Sequence, residues 1–366
     1  PYFRRLDGSL YVSRQSRQFI LDYTINRLHV TAGHLKSFKI NEVLNFGSVK
    51  ADQIKSLIRF STDGEIRGTV SIQGFKLLDA HSLSLADADR IESRIEMSKE
   101  EIRLMILPFE MNAPQARLSL EFANRFDEQK CSIEFRGSQV NIGQSRKMAL
   151  SFFKNNEIVS TLFDVLRNGT AKNIQVGFTA PRLADLLDED RLVLSGRVEN
   201  GVVKIPETSL FVSGIKGDAE IKKGVLNVSA GMGKVKGSRI KSGLFSIDLL
   251  NYEDYPFHGE FFLDADLSKI PETLISLLPE TLLARELALV GDIQGRTDAE
   301  LVLDMPTGSD APAVRVKTDS FSAAGSYERI PGDIRIEQTR FEYDSDIVRL
   351  TGLDAVLLGS RLTGVD

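Results

Sequence analysis

Tryptophan is absent from these 366 residues, cysteine occurs once and histidine four times. The lone Cys131 excludes an internal disulfide framework and any Cys-x-x-Cys metal or redox site. Lack of tryptophan removes the usual sugar-stacking platform and counts against a carbohydrate-binding module. Positive charge is not in excess either: 46 Lys+Arg meet 51 Asp+Glu, a formal charge of −5. That is the wrong balance for a nucleic-acid-binding face. No stretch approaches the ~18 to 20 uninterrupted apolar residues that a membrane-spanning helix needs. No signal peptide is visible, but the sequence starts at Pro1 without Met and stops at Gly364-Val365-Asp366, so both ends read as cut. A targeting segment or anchor can lie outside them.

What is present is a folded composition, 42% hydrophobic and 27% charged, with 21 phenylalanines available for packing. Its dominant pattern is period-two alternation broken by turn residues, the mark of half-buried strands. Leu192 to Val198 alternates up to Glu199-Asn200-Gly201, which reads as a hairpin turn before Val202 to Ile205. The grammar repeats at 217–221, a Lys222-Lys223-Gly224 turn and 225–229. It returns at 243–249, 259–265, 291–293, 299–303, 332–336 and 355–358. The first third carries it at 23–25, 68–72, 117–122 and 132–136, the last followed from Cys131, which reads as a small buried strand residue. About twenty strands of ~5 to 8 residues are expected. No fixed repeat period of the solenoid families appears.

Two helical segments interrupt the strands. Val159, Leu162, Phe163 and Leu166 form one apolar stripe, predicting a buried-face helix over about 156–168, with Asn155 or Asn156 as cap and Gly169 as its C-terminal stop. A second begins near Ser268, carries Leu274, Ile275, Leu277 and Leu278, and breaks at Pro279 before Leu282 and Leu283, so it covers about 268–284. A short amphipathic turn is expected at 183–187, and a loop at Pro306 to Pro312. These features divide the chain into an N-terminal β-rich segment (1–140), a β segment with both helices (141–305) and a C-terminal β segment (306–366).

Chemistry is hard to find. His29 and His34 are five apart, neither helical nor strand same-face spacing, and His81 and His258 stand alone. The glycines at 231, 233 and 237 have the wrong spacing for a dinucleotide loop, and no amphipathic helix follows them; a strand-to-strand loop is expected. Asp188-Glu189-Asp190 are consecutive and diverge, whereas acid–base pairs converge in space. The reading is therefore no catalysis, no metal and no cofactor. Twenty strands in one sheet would be ~90 to 100 Å wide, too wide to stay flat, so the chain either splits into stacked sandwiches or coils with its apolar face lining a trough.

From about Asn141 to Leu362 the sequence resembles the AsmA-like superfamily of diderm bacterial envelope proteins, the YhdP and TamB type. The resemblance is carried by Leu194-Ser-Gly-Arg-Val-Glu-Asn-Gly201, Val212 to Gly224, Ser238 to Leu249, Leu287 to Leu303 and Leu353 to Gly364. It implies a mainly β chain whose long coiled antiparallel sheet forms an apolar, taco-like groove. It also implies a periplasmic location, an inner-membrane anchor outside this segment, and passage of phospholipid between inner and outer membranes with no small-molecule cofactor or nucleic acid. An alternative is an assembly factor for outer-membrane proteins that uses exposed strand edges. Under the groove reading the lining is set by parity. Leu192, Leu194 and Val198 oppose Ser195 and Arg197, and Ile221 opposes Glu220. Phe245, Ile247 and Leu249 oppose Ser246 and Asp248; Phe261, Leu263 and Ala265 oppose Glu260 and Asp264; Leu301 and Leu303 oppose Glu300.

Overall fold

The computed structural model describes residues 7–365 apart from 16–17, 32–46, 153–156, 187, 206–207, 252–253, 278–280, 310–311 and 345–346. The chain is mainly β and antiparallel, and its described residues gather into two units. Residues 1–164, 168–197 and 220–224 form the first unit; 165–167, 198–219 and 225–366 form the second.

In the first unit the chain runs through β1 (Asp7–Gln15), β2 (Gln18–Thr31), β3 (Ser48–Ser61), β4 (Ile66–Leu78), β5 (Ser84–Met97), β6 (Glu101–Met111), β7 (Ala116–Arg125) and β8 (Lys130–Ser138). Each pairs with the next. A short β9 (Val140–Asn141) leads into helices α1 (Ile142–Phe152) and α2 (Glu157–Val165). The chain then returns as β10 (Leu166–Ala180), which pairs with β8 and β9. Part of β11 (Val193–Lys204) closes the unit.

The second unit holds the rest of β11 and most of β12 (Phe211–Lys222). Then β13 (Val225–Val235), β14 (Ser238–Asp248) and β15 (Phe257–Asp266) pair in turn. Helices α3 (Ile270–Leu277) and α4 (Leu282–Leu287) follow, then β16 (Val290–Gln294) and β17 (Arg296–Met305). Strand β17 pairs with β15 and with β18 (Ala313–Tyr327), and β16 joins β18 further along. The series ends with β19 (Ile330–Asp344), β20 (Ile347–Leu357) and β21 (Ser360–Val365), each on its predecessor.

Many strands are longer than the 5 to 8 residues expected, reaching 14 in β2, β3 and β5 and 15 in β10, β18 and β19. One reason is that Asn173, Asn200, Gly214 and Gly352 sit inside strands in the left-handed region, Asn200 being the one expected in a turn. A single left-handed residue bulges a strand, whereas a two-residue hairpin turn of type I′ needs two in succession. Asn200 (φ 53) has no positive-φ partner at Gly201, so β11 runs straight through the expected hairpin at 199–201. At Lys223 (φ 52) and Gly224 (φ 77) both positions are left-handed and the expected turn forms.

The first helical segment also differs. Strand β10 begins at Leu166, so α2 stops at Val165, and Gly169 (φ 132) belongs to the strand rather than to a helix cap. Leu162 and Phe163 are half-buried rather than buried. The preceding α1 went unread because Gly143, Gln144, Ser145 and Arg146 give its start no apolar stripe. The Arg146 side chain ties the two helices, donating to the Phe163 carbonyl at 3.0 Å and to Asp164 at 3.3 Å. The second segment is two helices. Asp266 accepts from the Ser268 amide at 3.1 Å ahead of the first, and Thr281 caps the second, accepting from the Ala284 amide at 3.2 Å. The expected break at Pro279, the caps at 155–156 and His34 lie outside the described residues.

Candidate functional site

Register places the first unit's apolar side chains in rows that cross its strands. One row is Val12, Leu21, Ile58, Gly68, Ile95, Leu104, Phe122, Ile133 and Phe178, each the direct partner of the next from β1 through β8 to β10. Nine strands at ~4.8 Å spacing make that row about 40 Å long. Two residues along, a parallel row reads Leu10, Tyr23, Ser56, Val70, Ser93, Ile106, Leu120, Phe135 and Val176. On the other side Phe19, Phe60, Ile66, Met97 and Ile102 stand in register. Because strand side chains alternate, all of these share one face.

The opposite face carries the charge, alongside Ile20, Leu57 and Met105. Arg59, Arg67, Glu96 and Arg103 are successive partners there. Arg103 reaches Glu121 at 2.9 Å, and Glu134 accepts from Arg136 at 2.5 Å and Gln175 at 2.8 Å. The Glu134 carboxylate raises the affinity of the Arg136 guanidinium for its proton, chiefly through that hydrogen bond. The sheet is thus two-sided.

Cover over the apolar face is uneven. At one end Leu77, Leu85, Ala86, Ala88, Ile91, Met111, Ala116 and Leu118 form a buried cluster, with Met148 of α1 packed against it. Leu186, just past the one-turn helix Leu183–Asp185 expected from the sequence, joins Cys131 and Ala180 over Phe122, Ile133 and Phe178. Between these, Leu21, Ile58, Ile95, Leu104 and Ile106 are only half-buried. At β1 and the neighbouring turns the face is open: Leu10 is 64% exposed, Val12 68%, Phe19 46% and Met97 39%. Patches of this kind on a folded chain mark a surface that meets something apolar.

The second unit shows where most of the residues singled out in the sequence lie. Ile247 stands opposite Phe257, Phe245 opposite Gly259, and Phe261 opposite both Gly243 and Leu301. Leu263 faces Ile240 and Ala299, Leu303 faces Val314, and Leu301 faces Val316. Phe245, Ile247, Phe261, Leu263, Leu301 and Leu303 therefore share one face. Ala265 continues it opposite Thr297, while Leu249 lies just past the end of β14. Ile221, next to last in β12 and on the first unit's side of the division, is fully buried. Val198 shares a face with Gly201 and Ile215, since a Cβ on Gly201 would come within 2.9 Å of Val198 Cγ1. Leu194 is half-buried in β11, and Leu192 precedes that strand.

Burial divides this set: Leu192, Leu194, Val198, Phe245, Phe261 and Leu301 are half-buried, like the middle of the first unit's rows. Ile221, Ile247, Leu249, Leu263, Ala265 and Leu303 are buried and present no open surface. Leu277 of α3 and Leu283 of α4 pack, with Phe257, Phe261, Leu301, Val316 and Phe341, against the cluster of Leu303, Val314 and Tyr343. The most exposed positions of the apolar rows are Leu10 and Val12 of β1, Phe19 of β2 and Met97 of β5, which the lining set omitted. The signal of these rows lies in 19–25, 54–60 and 102–106, where Ile20, Leu57 and Met105 put apolar residues on the other parity and weaken the alternation. What obscured it further was Tyr23, Ser56 and Ser93, polar residues on the apolar parity.

The chemistry offered is burial rather than reaction. Cys131 is fully buried, and desolvation pushes its thiol pKa up, away from the reactive thiolate. His29, His81 and His258 are exposed; His258 contacts Glu260 at 3.2 Å and Asp304 at 3.7 Å. Among the described residues no group of three or more His, Cys, Asp or Glu could hold a metal ion, and no helix is long and apolar enough to cross a membrane. Against models of known families, curated proteins and solved structures, the chain finds no match.

Proposed function

We propose that this chain is a non-catalytic, lipid-shielding segment of an AsmA-like bridge protein of the bacterial periplasm. In this reading its apolar face carries phospholipid acyl chains between the inner and outer membranes. The observation that carries the reading is the half-open apolar row running from Val12 to Phe178 at right angles to the strands, backed by an ion-paired outer face. An acyl chain lying along that row retains ~0.8 kcal/mol of burial per methylene that water would forfeit. A row of similar apolar contacts offers no single tight station, so a chain slides along it at little cost. The zwitterionic or anionic head group stays at the open border, in water.

Photo-crosslinking side chains placed at Ile58, Ile95 and Leu104 test this in the purified chain incubated with vesicles of phosphatidylethanolamine and phosphatidylglycerol. Adducts are expected at these positions and not at Arg59, Glu96 or Arg103 on the reverse face. Equal labelling of both faces, or none on either, overturns the proposal.

A further inference from the structure

We propose that α3 and α4 form a displaceable cover over the apolar face of the second unit, held shut by polar contacts at its margin. This rests on the lipid-shielding reading above, and adds that the second unit binds an acyl chain only after the helices move. Their contact with the sheet is apolar: Leu277 and Leu283 lie against a face of Phe257, Phe261, Leu301 and Val316, the kind of surface left open in the first unit. An acyl chain would replace those side chains with groups of the same chemistry, so exchange changes little in burial.

The helices are also poorly able to persist alone. α3 has eight residues and α4 six, far below the length at which an isolated helix is stable in water. What fixes them is at the edge. Glu286 of α4 accepts from the Tyr327 hydroxyl and from Arg329 at 2.5 Å, both near the β18–β19 turn. Glu272 of α3 pairs at 2.7 Å with Lys236 in the β13–β14 turn. Lys236, Glu272 and Arg329 keep more than a third of their side-chain surface in water and Glu286 32%, and exposed ion pairs are individually weak. Several weak margin contacts over an interchangeable apolar seam make a closure that can open.

Cysteine alkylation tests this, because the only native thiol, Cys131, is fully buried. Val314→Cys reports the covered face, since Val314 is buried in the cluster that Leu277 and Leu283 cover, and Val12→Cys the open one, 68% exposed, in the full chain treated with N-ethylmaleimide. The Val12 position is expected to react quickly and the Val314 position slowly. Adding Glu286→Ala, or the gentler Glu286→Gln, should raise the rate at Val314 by roughly three- to tenfold, the factor that loss of one or two polar contacts brings to a closed–open equilibrium. The Val12 rate should stay unchanged. Phosphatidylglycerol vesicles should then slow alkylation at Val314 in the latch variants. Equal rates at the two sites in the parent chain would overturn the cover, as would latch variants with unchanged circular dichroism and an unchanged Val314 rate. Lack of vesicle protection at Val12 would overturn the lipid reading, and acceleration without vesicle protection at Val314 would overturn the acyl-chain role of the cover.

Discussion

Ser56 occupies a place that the alternation reserves for an apolar side chain. It is 3% exposed, it lies between Tyr23 and Val70 on the apolar face, and its hydroxyl has no hydrogen-bond partner. A buried hydroxyl without a partner costs its full desolvation. Ser56→Ala should therefore leave stability unchanged or raise it by about 0.5 to 1 kcal/mol, read as a higher urea midpoint; a lower midpoint would show that the hydroxyl is bonded. Phe261 presents the opposite case. Its ring fills the space above two glycines, since a Cβ at Gly243 would come within 2.5 Å of it and one at Gly259 within 2.8 Å. We expect Phe261→Ala to cost ~2 to 4 kcal/mol and Gly243→Ala ~1 to 3 kcal/mol. The double variant should cost less than the sum of the two, because the ring that the added methyl group would strike is gone. Additive losses in denaturant melts would rule out that contact.

These residues also show what a sequence can and cannot disclose. Cys131 was legible as a small buried strand residue from its alternating neighbours alone. The shared face of Phe245, Ile247, Phe261, Leu263, Leu301 and Leu303 was legible too, because parity is a local property. Which part of that face is covered was not, since cover comes from Leu277 and Leu283, far along the chain from most of the residues they meet.

At the scale of elements, the bulges explain why strand lengths were misjudged. In β18 the inward positions are Val314, Val316 and Thr318, then Phe321 and Ala323, so parity changes where the register with β19 shifts. At the next shift β19 passes from Tyr343, Phe341 and Thr339 to Ile336 and Ile334. An extra residue preserves the face and breaks the count, so a strict period of two loses the strand there. The helices carry a pH signature. The Lys236 ammonium, by hydrogen bond and then by charge, holds the Glu272 carboxyl below its ordinary value of 4.5. A depressed carboxyl contributes stability in full above 4.5, and that contribution is lost as pH falls through the lower folded value. The hydrogen-exchange protection factors of the α3 amides should fall in that acid window, and Lys236→Ala should remove the fall. An unchanged profile in the variant would show that another group is responsible.

At the scale of the whole molecule, both units are built from antiparallel strands that share an apolar face, and in the first unit the reverse face carries the charge. This arrangement predicts a sharp asymmetry of tolerance. Ile95→Asp puts a carboxylate on the apolar row and should abolish phospholipid co-purification with the chain, as measured by mass spectrometry of extracted lipid. Glu96→Ser, one residue away on the charged face, should leave it intact. Equal effects at both positions would contradict a one-sided surface.

Strands β1 to β8 are each bonded to their immediate neighbours in sequence. Such an array grows like a ribbon. Inserting or deleting one hairpin lengthens or shortens it by about 10 Å, two strand spacings, without altering the cross-section or any other pairing. Stability then accrues locally, strand by strand, as it does in repeat proteins. Reach is thereby uncoupled from sequence elsewhere, and a gene can tune the span of the surface it encodes by counting hairpins.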